Sequence, residues 1–267
     1  MIKVMKYSLT KNTKEYFGKI LFQIKAEISF GNVVKGELGG YIEKEENLSQ
    51  NGNAWVYGNA QVSGDAQVYG NAQVSGDAQV YGNARVSGDA QVSGNAWVYG
   101  NARVSGNAQV SGDAQVSGDA QVSGDAQVYG DAQVSGDAWV HGNARVSGDA
   151  WVSGDAWVYG DAQVSGDAQV YGNARVSGNA WVYGNARVSG NARVSAKASF
   201  TKGWFIGGSD SNKITNITDK TGSSFWKNQY VLGDYEITPI EDEPKQDDAT
   251  AQAMELLKNA GYKIIKE

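Results

Sequence analysis

Valine recurs at every sixth position from Val56 to Val194 without a break. Alanine stands two residues before each of these valines, from Ala54 to Ala192, and Gly followed by Asn or Asp separates one unit from the next. The run holds 24 units. A period of six does not fit a helix of 3.6 residues per turn, and a glycine in each unit would cost a helix about 1 kcal/mol every time. In an extended segment, residues i and i+2 point the same way. Ala and Val of each unit therefore share one face, and the Gln, Arg or Trp between them takes the other. The Gly-Asn or Gly-Asp step supplies the positive φ of a sharp corner. Each unit reads as a short strand with a small-then-branched inner face, followed by a corner. Strands this short must coil, and three sides per turn make a coil of 18 residues.

The unit V-x-G-[ND]-A-x resembles the hexapeptide repeat of left-handed parallel β-helices, known from acyltransferases of the hexapeptide class. The match covers residues 54–194. The left hand is what the resemblance implies. The expected fold is all-β: a left-handed parallel β-helix of about eight 18-residue coils, with a small N-terminal β cap and a C-terminal cap plus short helix. At a strand spacing of about 4.8 Å the prism is about 38 Å long. Val stacks on Val and Ala on Ala, so no coil has a core of its own. Stability is then a sum over neighbours, both ends need caps, and an open edge invites end-to-end association.

Four segments follow. Residues 1–50 form a β-hairpin and cap: "ILFQIKAEISF" places Ile20, Phe22, Ile24, Ala26, Ile28 and Phe30 on one side, and "KNTKEYFGK" reads as the turn. Leu48 to Val56 is eight residues, which predicts a distorted first coil. Residues 51–195 are the repeat. Residues 196–238 are a C-terminal cap, in which the six-step continues through Phe200 and Ile206. Residues 239–267 are a linker carrying Pro239 and Pro244, then a short helix at 249–260 capped by Asp248 and ended by Gly261. The N-terminal segment resembles the leader found before such repeats in uncharacterised phage and prophage proteins. That resemblance implies a phage-encoded protein and brings no activity with it.

Composition narrows the function. There is no cysteine, hence no disulfide and no thiolate metal site. The first residues lack an apolar run of signal-peptide length and no segment has the length of a membrane span, so a soluble protein is expected, cytoplasmic in a bacterial host or virion-associated. The net charge of −6 divides as +2 over residues 1–50, −6 over 51–195 and −2 over the remainder. An acidic body disfavours general nucleic-acid binding.

The outward positions fall into three rows of residues 18 apart. The first begins at Trp55 and the second at Gln61. The third runs Gln67, Arg85, Arg103, Gln121, Trp139, Trp157, Arg175, Arg193. In it two tryptophans lie between pairs of arginines, with His141 and Tyr159 beside the tryptophans. Trp offers a stacking platform and Arg a cation–π or anion contact. Arg85, Arg103, Trp139, His141, Trp157, Tyr159, Arg175 and Arg193 are therefore the candidate ligand-binding residues. The competing explanation is repeat shuffling, since all six repeat arginines are followed by Val-Ser, as expected of copied units. Stacked Asp corners could attract a cation, but Asn replaces Asp freely, which a strict metal ligand would not allow. His141 stands alone inside a perfect unit, so it cannot build a zinc site, and no loop interrupts residues 56–194 of the kind that the resemblance to hexapeptide acyltransferases implies for a histidine base. No catalytic residue, metal or cofactor is expected. The reading is a non-enzymatic structural or binding protein. Its alternative is a dedicated binder using the Arg/Trp face, such as a phage counter-defence protein, with an acyltransferase-like enzyme a weaker third. The partners open to it are a protein, a glycan or a small anionic ligand, and a second copy through the caps or a prism face.

Overall fold

The computed structural model describes residues 5–194 and the strands Ser199–Phe200, Trp204–Gly207, Ile217–Asp219 and Tyr235–Ile237. The expected helix at 249–260 and its linker lie outside the described residues.

From Trp55–Val56 to Arg193–Val194 each unit contributes one short strand, and every third strand pairs in parallel with the strand 18 residues on. Three sheets result, of 11, 12 and 8 strands, carrying the Trp55, Gln61 and Gln67 rows respectively. They are called here the first, second and third faces. Register is uniform, as in Arg103 opposite Gln121 and Val104 opposite Val122. Gln121 N–H donates to Ala138 C=O, and Ser123 N–H to Val140 C=O, both at 2.9 Å. Every Ala and Val of the repeat is buried. The prism is therefore a parallel β-solenoid of eight regular coils behind an irregular leading turn at residues 38–48.

Corners are as tight as strands. Gly118 has φ +66°, and a Cβ placed there would lie 2.9 Å from Gly136 N and 3.0 Å from Gly136 O. The corner thus needs glycine twice, for its left-handed backbone and for the approach of the next coil.

The N-terminal segment caps the prism. Strand β1 (Tyr7–Tyr16) pairs antiparallel with β2 (Lys19–Ala26), β2 pairs antiparallel with β3 (Leu38–Ile42), and β3 joins the second face in parallel beside Gln61–Val62. The hairpin turn is Phe17–Gly18, with φ of 46° and 71°, as a two-residue type I′ turn requires. It is far shorter than the 11–19 stretch suggested. Residues 11–16 extend the strand instead, after a register shift between Leu9 and Thr13. A second shift between Gln23 and Lys25 breaks the alternation expected of β2. Leu21, Ile24 and Ala26 are buried, while Ile20 and Ile28 are exposed. The distortion expected near Leu48 is present: Ile42 aligns with Val62 and Leu48 with Val68, 20 residues apart instead of 18.

The cap closes the core with polar groups as well as apolar ones. Asn47, fully buried, donates from its side chain to Ala66 C=O at 2.9 Å and Gly64 C=O at 3.0 Å. Lys6 Nζ donates to Ala54 C=O at 2.9 Å and lies 5.0 Å from the Phe30 ring. Burial pushes its pKa down to about 8. Trp55 was expected outside with the rest of its row. It is fully buried, edge-on to Tyr7 and Phe30, because the cap covers the first coil. Gln61 is buried as well. At the far end Phe200 aligns with Val182 as expected, but Val188 aligns with Phe205, so Ile206 is one residue out of step.

Candidate functional site

A side chain on an outer face has neighbours in two directions. Along the axis lie the residues 18 before and after it. Across the face lie i−2 and i+2, which share its side of the strand. A strand residue such as Trp139 is thus flanked by its own corner residue, Asp137, and by His141.

All eight candidate residues lie on the third face or beside it, in the predicted order. Arg85 is opposite Arg103, Trp139 opposite Trp157, Trp157 opposite Arg175, and Arg175 opposite Arg193. The Trp139 and Trp157 rings stack with centroids 5.0 Å apart and planes 14° from parallel. His141 and Tyr159 stack beside them at 5.2 Å and 10°. His141 also sits edge-on to both tryptophans, at 6.3 and 6.4 Å. Four rings thus form one block two coils deep. Burial in it holds the His141 pKa below its usual range, which favours the neutral imidazole at neutral pH.

Within the block, Trp157 is not open for stacking on either ring face. Trp157 has Trp139 one coil before it and the Arg175 guanidinium one coil after it, 4.9 Å from the ring centroid. Its two faces are occupied. The site presents ring edges and the exposed Trp139, together with a guanidinium pre-positioned on indole. Arg193 stands in the next coil. The corners beside Trp139 and Trp157 are Asp137 and Asp155, and those beside Arg175 and Arg193 are Asn173 and Asn191. Together these eight side chains line a shallow trough of about 680 Å³. It is polarised, with carboxylates at the tryptophan end and amides with guanidiniums at the other.

Neither trough arginine has a carboxylate partner among the described residues. The two ion pairs there, Lys19–Glu43 and Lys44–Asp65, hold the cap. The sequence carries the same separation. Half of the 24 corners are Asp, yet each of the six repeat arginines follows an Asn corner. The four corner residues of the trough are not among the residues the sequence singles out, where corners count as turn formers and as a cation ladder set aside because Asn replaces Asp freely. The period-two rule that exposed Trp139 also exposes Asp137.

A second aromatic column was missed. Tyr81 and Tyr99 stack at 5.0 Å and 4° on the second face, with Trp97 edge-on to Tyr81. The Tyr16 hydroxyl donates to the Gln79 side chain there, bringing the hairpin tip to this face. Burial, with Tyr99 close by, pushes the Tyr81 hydroxyl up to about 12. Its sequence signal is the pair of Tyr residues 18 apart at the i+2 position.

Among the described residues no cluster of three or more His, Asp or Glu is placed to hold a metal. None of their helices is long and apolar enough to cross a membrane.

No curated protein matches the chain. The family model described as YdcK Beta solenoid repeat matches residues 78–94, 90–106, 96–112, 108–124, 114–130, 126–142, 168–184 and 186–199, all within the repeat or at its C-terminal end. The matched repeats and the three stacked parallel sheets make the chain a repeat-built β-solenoid protein.

Proposed function

We propose that the protein is a non-enzymatic binding scaffold that takes an anionic ligand in the trough of the third face. The observation that carries this reading is the Arg175 guanidinium held on Trp157 at 4.9 Å, beside Arg193, with amide corners and no carboxylate partner among the described residues. A guanidinium stacked on indole has already lost much of its side-chain freedom, so an anion that meets it has less ordering left to drive. Arg193 adds a second cation one coil away. The high dielectric of water makes each contact weak alone, and two cations at a fixed spacing make the contact specific.

Non-catalytic action is supported by the surroundings of His141. Its recorded ring contacts are aromatic, and among the described residues no side chain is hydrogen-bonded to it as the orienting partner of a general base. The cap-plus-repeat layout supports phage encoding by its resemblance to phage proteins. The rest of the prism serves as a rigid spacer.

Titration with inorganic sulfate and with mono-carboxylated maltopentaose tests the reading. Arg175→Gln/Arg193→Gln installs the residue commonest in these rows and is expected to weaken binding at least tenfold with the fold intact. Trp151→Gln/Trp181→Gln, two exposed tryptophans on the other faces, is expected to leave it unchanged. Equal losses in the two variants would refute the site.

A further inference from the structure

The third face carries its arginine pair twice. Arg85 and Arg103 are register neighbours, as are Arg175 and Arg193. Asn83 and Asn101 are the corners beside the first pair, and Asn83 donates to Asn101 at 3.0 Å. Asn173 and Asn191 are the corners beside the second, and Asn173 donates to Asn191 at 3.2 Å. Between the pairs the corners are all carboxylates: Asp119, Asp137 and Asp155. Corner chemistry is therefore symmetric about Asp137, with two amides, three carboxylates and two amides. Neither other face has adjacent arginines. Arg145 stands between Gln127 and Gln163, and Arg187 beside Gln169.

We propose that the two arginine pairs act together on one ligand, a linear glycan with two anionic groups separated by a neutral, hydroxyl-rich stretch. The proposal rests on the anion-binding reading of Arg175 and Arg193. Four coil steps separate Arg103 from Arg175, about 19 Å at the spacing of parallel strands. With one sugar ring per coil, about four rings fill the gap. The middle of the strip selects what lies there. Asp119, Asp137 and Asp155 are acceptors suited to hydroxyl donors. They repel negative charge, so a polymer charged at every unit, such as nucleic acid, is disfavoured in the middle while it is attracted at the ends. An Asn corner directly beside each arginine keeps the ladder carboxylates Asp119 and Asp155 one coil away from Arg103 and Arg175, and an anion bridging a pair relieves the repulsion between its two cations. Once one end is held, the rigid prism presents the second pair at high effective concentration.

The test compares four probes on the full chain: maltopentaose carrying a carboxylate at one end, the same sugar with a carboxylate at both ends, a heparin-derived octasaccharide and a single-stranded oligodeoxynucleotide. The doubly carboxylated sugar is expected to bind at least tenfold tighter than the singly carboxylated one. Arg85→Gln/Arg103→Gln is expected to remove that gain and leave single-ended binding in place. Asp137→Asn/Asp155→Asn is expected to raise heparin and oligonucleotide binding several-fold. Melting curves establish that each variant is folded. Equal affinities for the two sugars would overturn joint action, while the single site at Arg175 and Arg193 would stand if its own variant still abolished binding. Tighter binding of the oligonucleotide than of the doubly carboxylated sugar would overturn the ligand class. Absence of sugar binding altogether, or indifference of singly carboxylated sugar to Arg175→Gln/Arg193→Gln, would overturn the underlying reading as well.

Discussion

The Asn95 side-chain amide donates to the Asp113 carboxylate, one coil further on, at 2.9 Å. The same bond recurs where Asn precedes Asp by 18 residues in the pairs Asn71–Asp89, Asn101–Asp119, Asn107–Asp125 and Asn143–Asp161. Its direction is constant: the amide lies in the earlier coil and the acceptor in the later one. An Asp in the earlier coil has no donor to give.

Four consecutive corners of one ladder, Asp113, Asp131, Asp149 and Asp167, are carboxylates. Asp131→Asn places a donor below Asp149 and removes one repulsive neighbour. It is expected to stabilise the protein by about 0.5–1 kcal/mol. Urea melts at low and high salt check this. Added salt should stabilise the parent more than the variant, because it screens what the substitution removes.

The inside/outside assignment predicts opposite outcomes for adjacent residues. Val122 is fully buried between stacked valines, so Val122→Asp is expected to cost at least about 3 kcal/mol through an unpaired buried charge. Gln121→Ala is expected to change stability by no more than about 0.5 kcal/mol. Thermal melts of the two variants suffice.

Most of this was legible in the sequence, and the reason is physical. Where one unit repeats, the local preference of each residue and the global stacking agree, so Val122, Gln121 and Trp139 could be placed by parity alone. The departures occur where units stop repeating. Trp55 has the same local sequence as Trp97 and Trp181, yet it is buried, because residues distant in sequence, Tyr7 and Phe30, cover it. The bulges in the hairpin shift parity by one residue, which moved Leu21 inward and Ile20 outward. At the site, parity placed the two tryptophans together. It could not show that Arg175 covers one ring face, since that depends on side-chain rotation.

Trp55 and Trp181 separate these two situations. Trp55→Gln is expected to cost about 3–5 kcal/mol by emptying the cap interface. Trp181→Gln, at a position 51% exposed, is expected to be near neutral. Comparison of denaturation midpoints decides it.

Lys6 gives the cap a pH dependence. Its pKa is about 8 in the fold against 10.5 unperturbed. Between those values the unfolded chain holds a proton that the folded chain has released, so this group makes stability rise with pH from about 8 to 10.5. Tyr7 acts in the opposite sense above its ordinary pKa of 10, because burial raises its pKa. Stability of the cap is expected to climb above pH 8 and turn over near pH 10. Lys6→Met should abolish the climb and keep the fall, as read by hydrogen exchange of the β1 and β2 amides.

The central claim is that the third face, and no other, is built to meet anions. The side-chain Nε–H resonances of the six repeat arginines test it in one titration with the doubly carboxylated maltopentaose. Saturable shifts are expected at Arg85, Arg103, Arg175 and Arg193, following a single isotherm, with Arg145 and Arg187 unmoved. Shifts of similar size and concentration dependence at all six would contradict it, since the arginines would then be acting as unspecific surface charge.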